Sequence, residues 1–142
     1  MDYAVSVGST PAVRYRSREE AVTLAELDDF LERAIAELTD HDVVGPPFAI
    51  FHGRVDDVTR SRVEVGVPAR DGDRVLDAGY VVHGRAIGET DYEPIHRVYD
   101  AIAEFIAAKG LKQRAPTREV YHGRERFSDE IEVVWPVEDP QG

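Results

Sequence analysis

An internal repeat limits what this chain can fold into more than any other feature. Thr23-Leu-Ala-Glu26 has the form of a capping box, and Leu27, Phe30, Leu31, Ala34, Ile35 and Leu38 follow at helical spacing. The pattern predicts an amphipathic helix over about residues 24–40. Thr90-Asp-Tyr-Glu93 repeats the box, with Pro94 in the first turn, where no amide hydrogen is required. Ile95, Val98, Tyr99, Ile102 and Ile106 form the second stripe, and Gly110 supplies a left-handed stop. The two stripes superpose at an offset of 68 residues, Leu27 on Ile95 and Leu38 on Ile106.

The match continues past the helices. Each is followed by a proline-containing turn, a short strand (Phe48-Ala-Ile-Phe51; Arg118-Glu-Val-Tyr121) and His-Gly-Arg, now at an offset of 70 residues. Val63-Glu-Val-Gly-Val-Pro68 then pairs with Ile131-Glu-Val-Val-Trp-Pro136; both are rich in β-branched residues and closed by proline. Pre-helix strands are expected over residues 12–16 and 80–85, so each half reads strand, helix, strand, strand. A third His-Gly-Arg, at His83, falls in a pre-helix strand opposite Tyr15 and is read as coincidence. Neither half has enough surface to bury its helix stripe alone. The expectation is one α+β domain, residues 1–142, made of repeats 1–70 and 71–142 with pseudo-twofold symmetry. Its sheet is antiparallel, with the helices packed on one side.

Composition removes several functions. The chain has no cysteine, which excludes disulfides, thiolate metal sites and cysteine nucleophiles. Its net charge is −11, with 17 scattered basic residues, which argues against direct nucleic-acid binding. No apolar run reaches the roughly 20 residues of a membrane-spanning helix, and the N-terminus lacks the basic-then-apolar layout of a signal peptide, so a cytoplasmic protein is expected. The five histidines show no metal-ligand spacing. No metal and no cofactor are expected; haem is a minor alternative with no axial ligand singled out.

The second half, "YEPIHRVYDAIAEFIAAKGL…TREVYHG…IEVVWPV", resembles the GyrI-like small-molecule-binding domain, the effector-binding module of AraC-type and MerR-type regulators. The first half, "GPPFAIFHG…VEVGVP", is similar to that family's N-terminal repeat. The resemblance implies two β-α-β-β units with a ligand groove between them, taking hydrophobic and often cationic or aromatic compounds. It also implies that a pocket glutamate falls on Glu119. Two departures stand out. Phe51 replaces a frequent tyrosine, and no helix-turn-helix precedes the domain, so a stand-alone sensor or enzyme half is expected.

Strand alternation puts Glu119 and Tyr121 on one face and Arg118 and Val120 on the other. With Val120 beneath the helices, Glu119 and Tyr121 would face the groove. Trp135, the only tryptophan, shares a face with Ile131 and Val133. A carboxylate beside large aromatics favours a cation shielded from water. The ligand-binding set is therefore Glu119, Tyr121, Trp135, Tyr99, Phe48 and Phe51, with Tyr99 on the helix stripe. Of Phe48 and Phe51, one is expected to line the pocket and the other to pack under a helix. A carboxylate whose pKa is raised by burial also suits general acid–base chemistry. The alternative is thus a hydrolase of a reactive electrophile, with Glu119 and Tyr121 as its catalytic pair. A third reading is an acidic module for a protein partner. Glu64 and Glu132 match across the repeat and are expected to make a shared structural hydrogen bond, with a pocket role for Glu132 left open.

Overall fold

The computed structural model describes residues 4–39, 43–87, 92–122 and 130–140, without the side chains of residues 87 and 92–94. Ten elements follow one another: β1 (Val5–Thr10), β2 (Val13–Val22), α1 (Leu24–Leu38), β3 (Phe48–Phe51), β4 (Ser61–Pro68), β5 (Arg74–Leu76), β6 (Gly79–Ile87), α2 (Tyr92–Lys109), β7 (Arg118–Tyr121) and β8 (Glu130–Pro136). The chain is α+β, every strand pairing described below is antiparallel, and both repeats contain strand, helix, strand, strand. β1 and β5 are additional to that pattern. The chain divides into a unit of Ala12–Asp77 and a unit of Ala78–Gly142 that also takes in Met1–Pro11.

In the Ala12–Asp77 unit the strands pair in the order β3, β4, β2, β5. The expected capping box starts α1: the Thr23 amide donates to Glu26 Oε1 at 3.0 Å. Leu27, Phe30, Leu31, Ala34 and Leu38 are the buried stripe of α1. Arg33 and Glu37 on α1 reach Glu20 and Arg18 of β2 at 3.5 and 3.0 Å. Those β2 residues stand opposite Val63 and Val65 of β4, so α1 covers the face carrying Val63, Val65, Ala49 and Phe51. Phe48 and Ile50 lie on the other face. There the Phe48 ring meets Tyr15 edge-on, with centroids 5.0 Å apart. Gly66 is required beneath these rings, because a Cβ at that position would collide with both.

In the other unit the order is β1, β6, β8, β7. Val98 and Ile102 of α2 bury Val82, Ala86, Val133 and Val137, with Tyr99, Phe105 and Trp135 packed around them. Gly110 ends α2 at a φ of +66°, as its sequence position predicts. The amides of Gly110 and Leu111 donate back to Ala107 and Ile106 at 3.3 and 3.1 Å, satisfying carbonyls that the helix end leaves open. The second capping box, at Thr90 and Glu93, and the Gly123-Arg124 end of the second His-Gly-Arg lie outside the described residues.

Register corrects one alignment. Glu132 stands opposite Arg85, whereas its repeat counterpart Glu64 stands opposite Glu19. The two pre-helix strands therefore match at 66 residues rather than 68, the stretch from Arg85 to Tyr92 being two residues longer than that from Glu19 to Leu24. His83 is thus the counterpart of Ser17 and not of Tyr15.

Candidate functional site

β7 places Glu119 opposite Val133 and Tyr121 opposite Ile131. Val133 belongs to the core that α2 covers, so Glu119 and Tyr121 face α2. This reverses the expected arrangement in which Val120 lay beneath the helix. Val120 instead stands opposite Glu132, on the far side of the sheet. The reason is local: β8 turns Ile131, Val133 and Trp135 towards the helix, and pairing carries Glu119 with them.

Tyr99, one turn along α2 from Ile95, donates its hydroxyl to Glu119 Oε2 at 2.8 Å. Tyr121 donates to Glu119 Oε1 at 3.0 Å. Both carboxylate oxygens are therefore fixed by neutral phenols from two different elements. Burial, the Glu119 charge and the hydrogen bond to it together push the Tyr99 hydroxyl well above the usual phenol range, against a smaller opposing effect from Thr117. Tyr99 thus remains a proton donor throughout the neutral range. Tyr121 is only 2% exposed. Trp135 lies two residues beyond Val133 on the same face, and its Nε1 is buried with no hydrogen-bond partner among the described residues. The structure thus brings Tyr99, Glu119, Tyr121 and Trp135 to one face under α2. Phe48 and Phe51 belong to the Ala12–Asp77 unit, Phe51 on the face of α1 and Phe48 on the opposite one.

A second carboxylate was legible only as a repeat match. Glu64 is 2% exposed in the middle of β4. It accepts from the Tyr15 hydroxyl at 2.9 Å and lies 3.2 Å from His52 Nε2, with Arg74 at 3.5 Å. Burial, reinforced by the hydrogen bond to Glu64, pushes the Tyr15 hydroxyl up to about 12. Its counterpart Glu132 meets His122 Nε2 and His83 Nδ1, both at 2.9 Å. Burial pushes Glu132 up, but the His122 hydrogen bond and the charges of Arg85, His83 and His122 together hold it below the usual glutamate range. The histidine of each repeated His-Gly-Arg therefore meets the β4 or β8 glutamate of its own unit, a cross-strand contact shared by both copies.

Among the described residues one set of groups has metal-ligand chemistry: Glu19, His52 and Glu64 bring a ligand atom each to within 4.8 Å of one another. Arg62 and Arg74 already sit 3.1 and 3.5 Å from the two carboxylates. A divalent cation would compete with both guanidiniums there. Among the described residues no helix is long and apolar enough to cross a membrane.

No family profile and no curated protein matches the sequence. Solved structures do match. The crystal structure of the EcmrR C-terminal domain aligns with a TM-score of 0.75 at 16% identity, over 98% of this chain and 99% of that one. The fold is the GyrI-like one. EcmrR in its DNA complex aligns with a TM-score of 0.80 at 15% identity over 96% of this chain. This chain spans 58% of that longer protein. SAV2435 bound to tetraphenylphosphonium aligns with a TM-score of 0.63 at 13% identity, over 97% of this chain and 94% of that one.

Proposed function

We propose that this protein binds a small, apolar organic cation on the α2 face of the Ala78–Gly142 unit. Glu119 is its counter-charge, and Tyr99, Tyr121 and Trp135 are its aromatic surround. The observation that carries this reading is the carboxylate held at both oxygens by phenols, 2.8 and 3.0 Å away. Two phenol donors from different elements fix the orientation of the carboxylate. Ring faces beside it attract a cation that has shed its water, an effect worth about 2 kcal/mol or more when desolvated. The buried Trp135 Nε1 adds a donor that an acceptor atom on the ligand would satisfy.

The neighbours support the same class: one is the C-terminal domain of EcmrR, a protein also solved in complex with DNA, and another was solved bound to tetraphenylphosphonium, a lipophilic cation. Titration with tetraphenylphosphonium, followed by the fluorescence of the single tryptophan, tests the reading. Glu119→Gln is expected to weaken binding by about tenfold or more while keeping the shape of the side chain. Equal affinity in the two proteins would overturn the charge role.

A further inference from the structure

On the face of the β1, β6, β8, β7 sheet opposite α2, three side chains stand in line across three strands. Ser6 and His83 are cross-strand partners, and Ser6 Oγ lies 3.1 Å from His83 Nε2. His83 Nδ1 lies 2.9 Å from Glu132 Oε2. An ionised carboxylate only accepts, so Nδ1 carries the hydrogen. In the neutral imidazole Nε2 is then the bare acceptor and the Ser6 hydroxyl donates to it, whereas in the imidazolium Nε2 donates to Ser6 Oγ; the neutral form is the reactive one. The other oxygen of Glu132 is held by His122 Nε2 at 2.9 Å, which fixes the carboxylate that orients the imidazole. We propose that Ser6, His83 and Glu132 form a nucleophile, base and orienting acid that cleave small carboxylic esters.

Access agrees with that use. Ser6 is exposed, and the His83 side chain is 30% exposed. Gly8, the next residue on that face of β1, leaves the approach to Nε2 open, since a Cβ there would stand 3.5 Å from it. Among the described strands of its unit β1 pairs only with β6, so its alternate amides point away from the ladder and are available to a developing oxyanion. In the reaction Ser6 Oγ bonds to the ester carbonyl carbon while its proton passes to His83 Nε2. The carbon–oxygen bond to the alcohol then breaks, and the same proton leaves with the alcohol. Water, deprotonated by His83, attacks the acyl-Ser6; the acid departs and the proton returns to Ser6 Oγ. Ser6 and His83 are the catalytic residues, and Glu132 is a positioning residue.

A fluorophosphonate probe with peptide mapping, together with p-nitrophenyl acetate turnover, tests the proposal on the full chain. The expected result is a single adduct on Ser6, lost in Ser6→Ala and formed about 100-fold more slowly in His83→Ala. Glu132→Gln is expected to slow it similarly and Glu132→Asp to recover part of the rate, a pattern that a purely structural glutamate would not produce. Because Ser6 is exposed, Ser6→Ala keeps its thermal unfolding profile and remains a valid control. The proposal is overturned if wild type carries no adduct on Ser6, or if His83→Ala reacts at the wild-type rate.

Discussion

The same position under the helix is apolar in one unit and charged in the other. Beneath α1 lie Leu31 of the helix and Ala49 and Phe51 of β3; beneath α2 their repeat counterparts are Tyr99, Glu119 and Tyr121. Leu31 is 3% exposed and Ala49 is fully buried, so the first copy shows what the scaffold needs for packing alone. The second copy adds one carboxylate and two hydroxyls, and those three additions satisfy one another. Glu119 is partly buried, and a charge drawn out of water is destabilising unless it is hydrogen-bonded. Its presence in only one of two equivalent places marks it as separable from folding. On the opposite faces the relation is different: Glu64 and Glu132 are both retained and both meet the histidine of His-Gly-Arg. What the copies share is architecture, and what they do not share is the candidate ligand site.

Moving the charge without its partners is the strongest way to break this comparison. Ala49→Glu places a carboxylate under α1 beside Leu31 and Phe51, neither of which donates a hydrogen bond. Denaturant unfolding is expected to show a loss of about 3–5 kcal/mol, the range for an uncompensated buried charge. Adding Leu31→Tyr and Phe51→Tyr should restore part of it, because the three changes together rebuild the phenol-held carboxylate. A single Ala49→Glu protein as stable as wild type would mean that the two places are not equivalent environments.

A smaller change sharpens the comparison from the other side. Tyr99→Phe makes the second copy more like the first by removing one hydroxyl from Glu119. Hydrogen bonds to charged groups contribute about 1.5–3 kcal/mol, and that loss of stability is expected in chemical unfolding. The matching change Leu31→Met, which introduces no polar atom, should stay below about 1.5 kcal/mol. Similar losses from the two substitutions would remove the claim that the hydroxyl matters.

Much of this was legible in the sequence because it rests on period. The helix stripes and the strands at Phe48, Val63, Arg118 and Ile131 repeat at nearly constant spacing, and two copies reinforce one another, while Gly110 was legible from its place after the second stripe. Orientation was not legible. Alternation says that Glu119 and Tyr121 share a face, but only pairing with Val133 and Ile131 says that the face is the one under α2. Strands β1 and β5 were missed because neither has a buried residue, only exposed and intermediate ones, so burial leaves little pattern in them. The line from Ser6 to His83 to Glu132 joins residues 77 and 49 positions apart, a separation at which local pattern carries no information. The signal that existed was the glutamate inside an apolar strand in both copies, since a charge there requires partners from neighbouring strands.

The last and smallest effect separates the two units by pH. Tyr15, whose hydroxyl meets Glu64, has its pKa raised to about 12 in the folded protein. A folded value above the unfolded one means that the contribution is complete below about pH 10 and is lost as pH rises towards 12. By pH 11 a part of it on the order of 1 kcal/mol should be gone, while nothing changes at neutral pH. Glu132 has the opposite sign: its lowered pKa gives a contribution present above the usual glutamate range and lost as pH falls below it. Stability measured by denaturant from pH 8 to 11.5 should therefore fall less steeply in Tyr15→Phe than in wild type. The constant offset between the curves reports the lost hydrogen bond, and the change in slope reports the titration. Tyr99, also raised, keeps a residual alkaline slope that belongs to the other unit. Parallel curves for wild type and Tyr15→Phe would show that the Tyr15 and Glu64 pair does not titrate with folding, and would leave the alkaline slope to the Tyr99 and Glu119 pair alone.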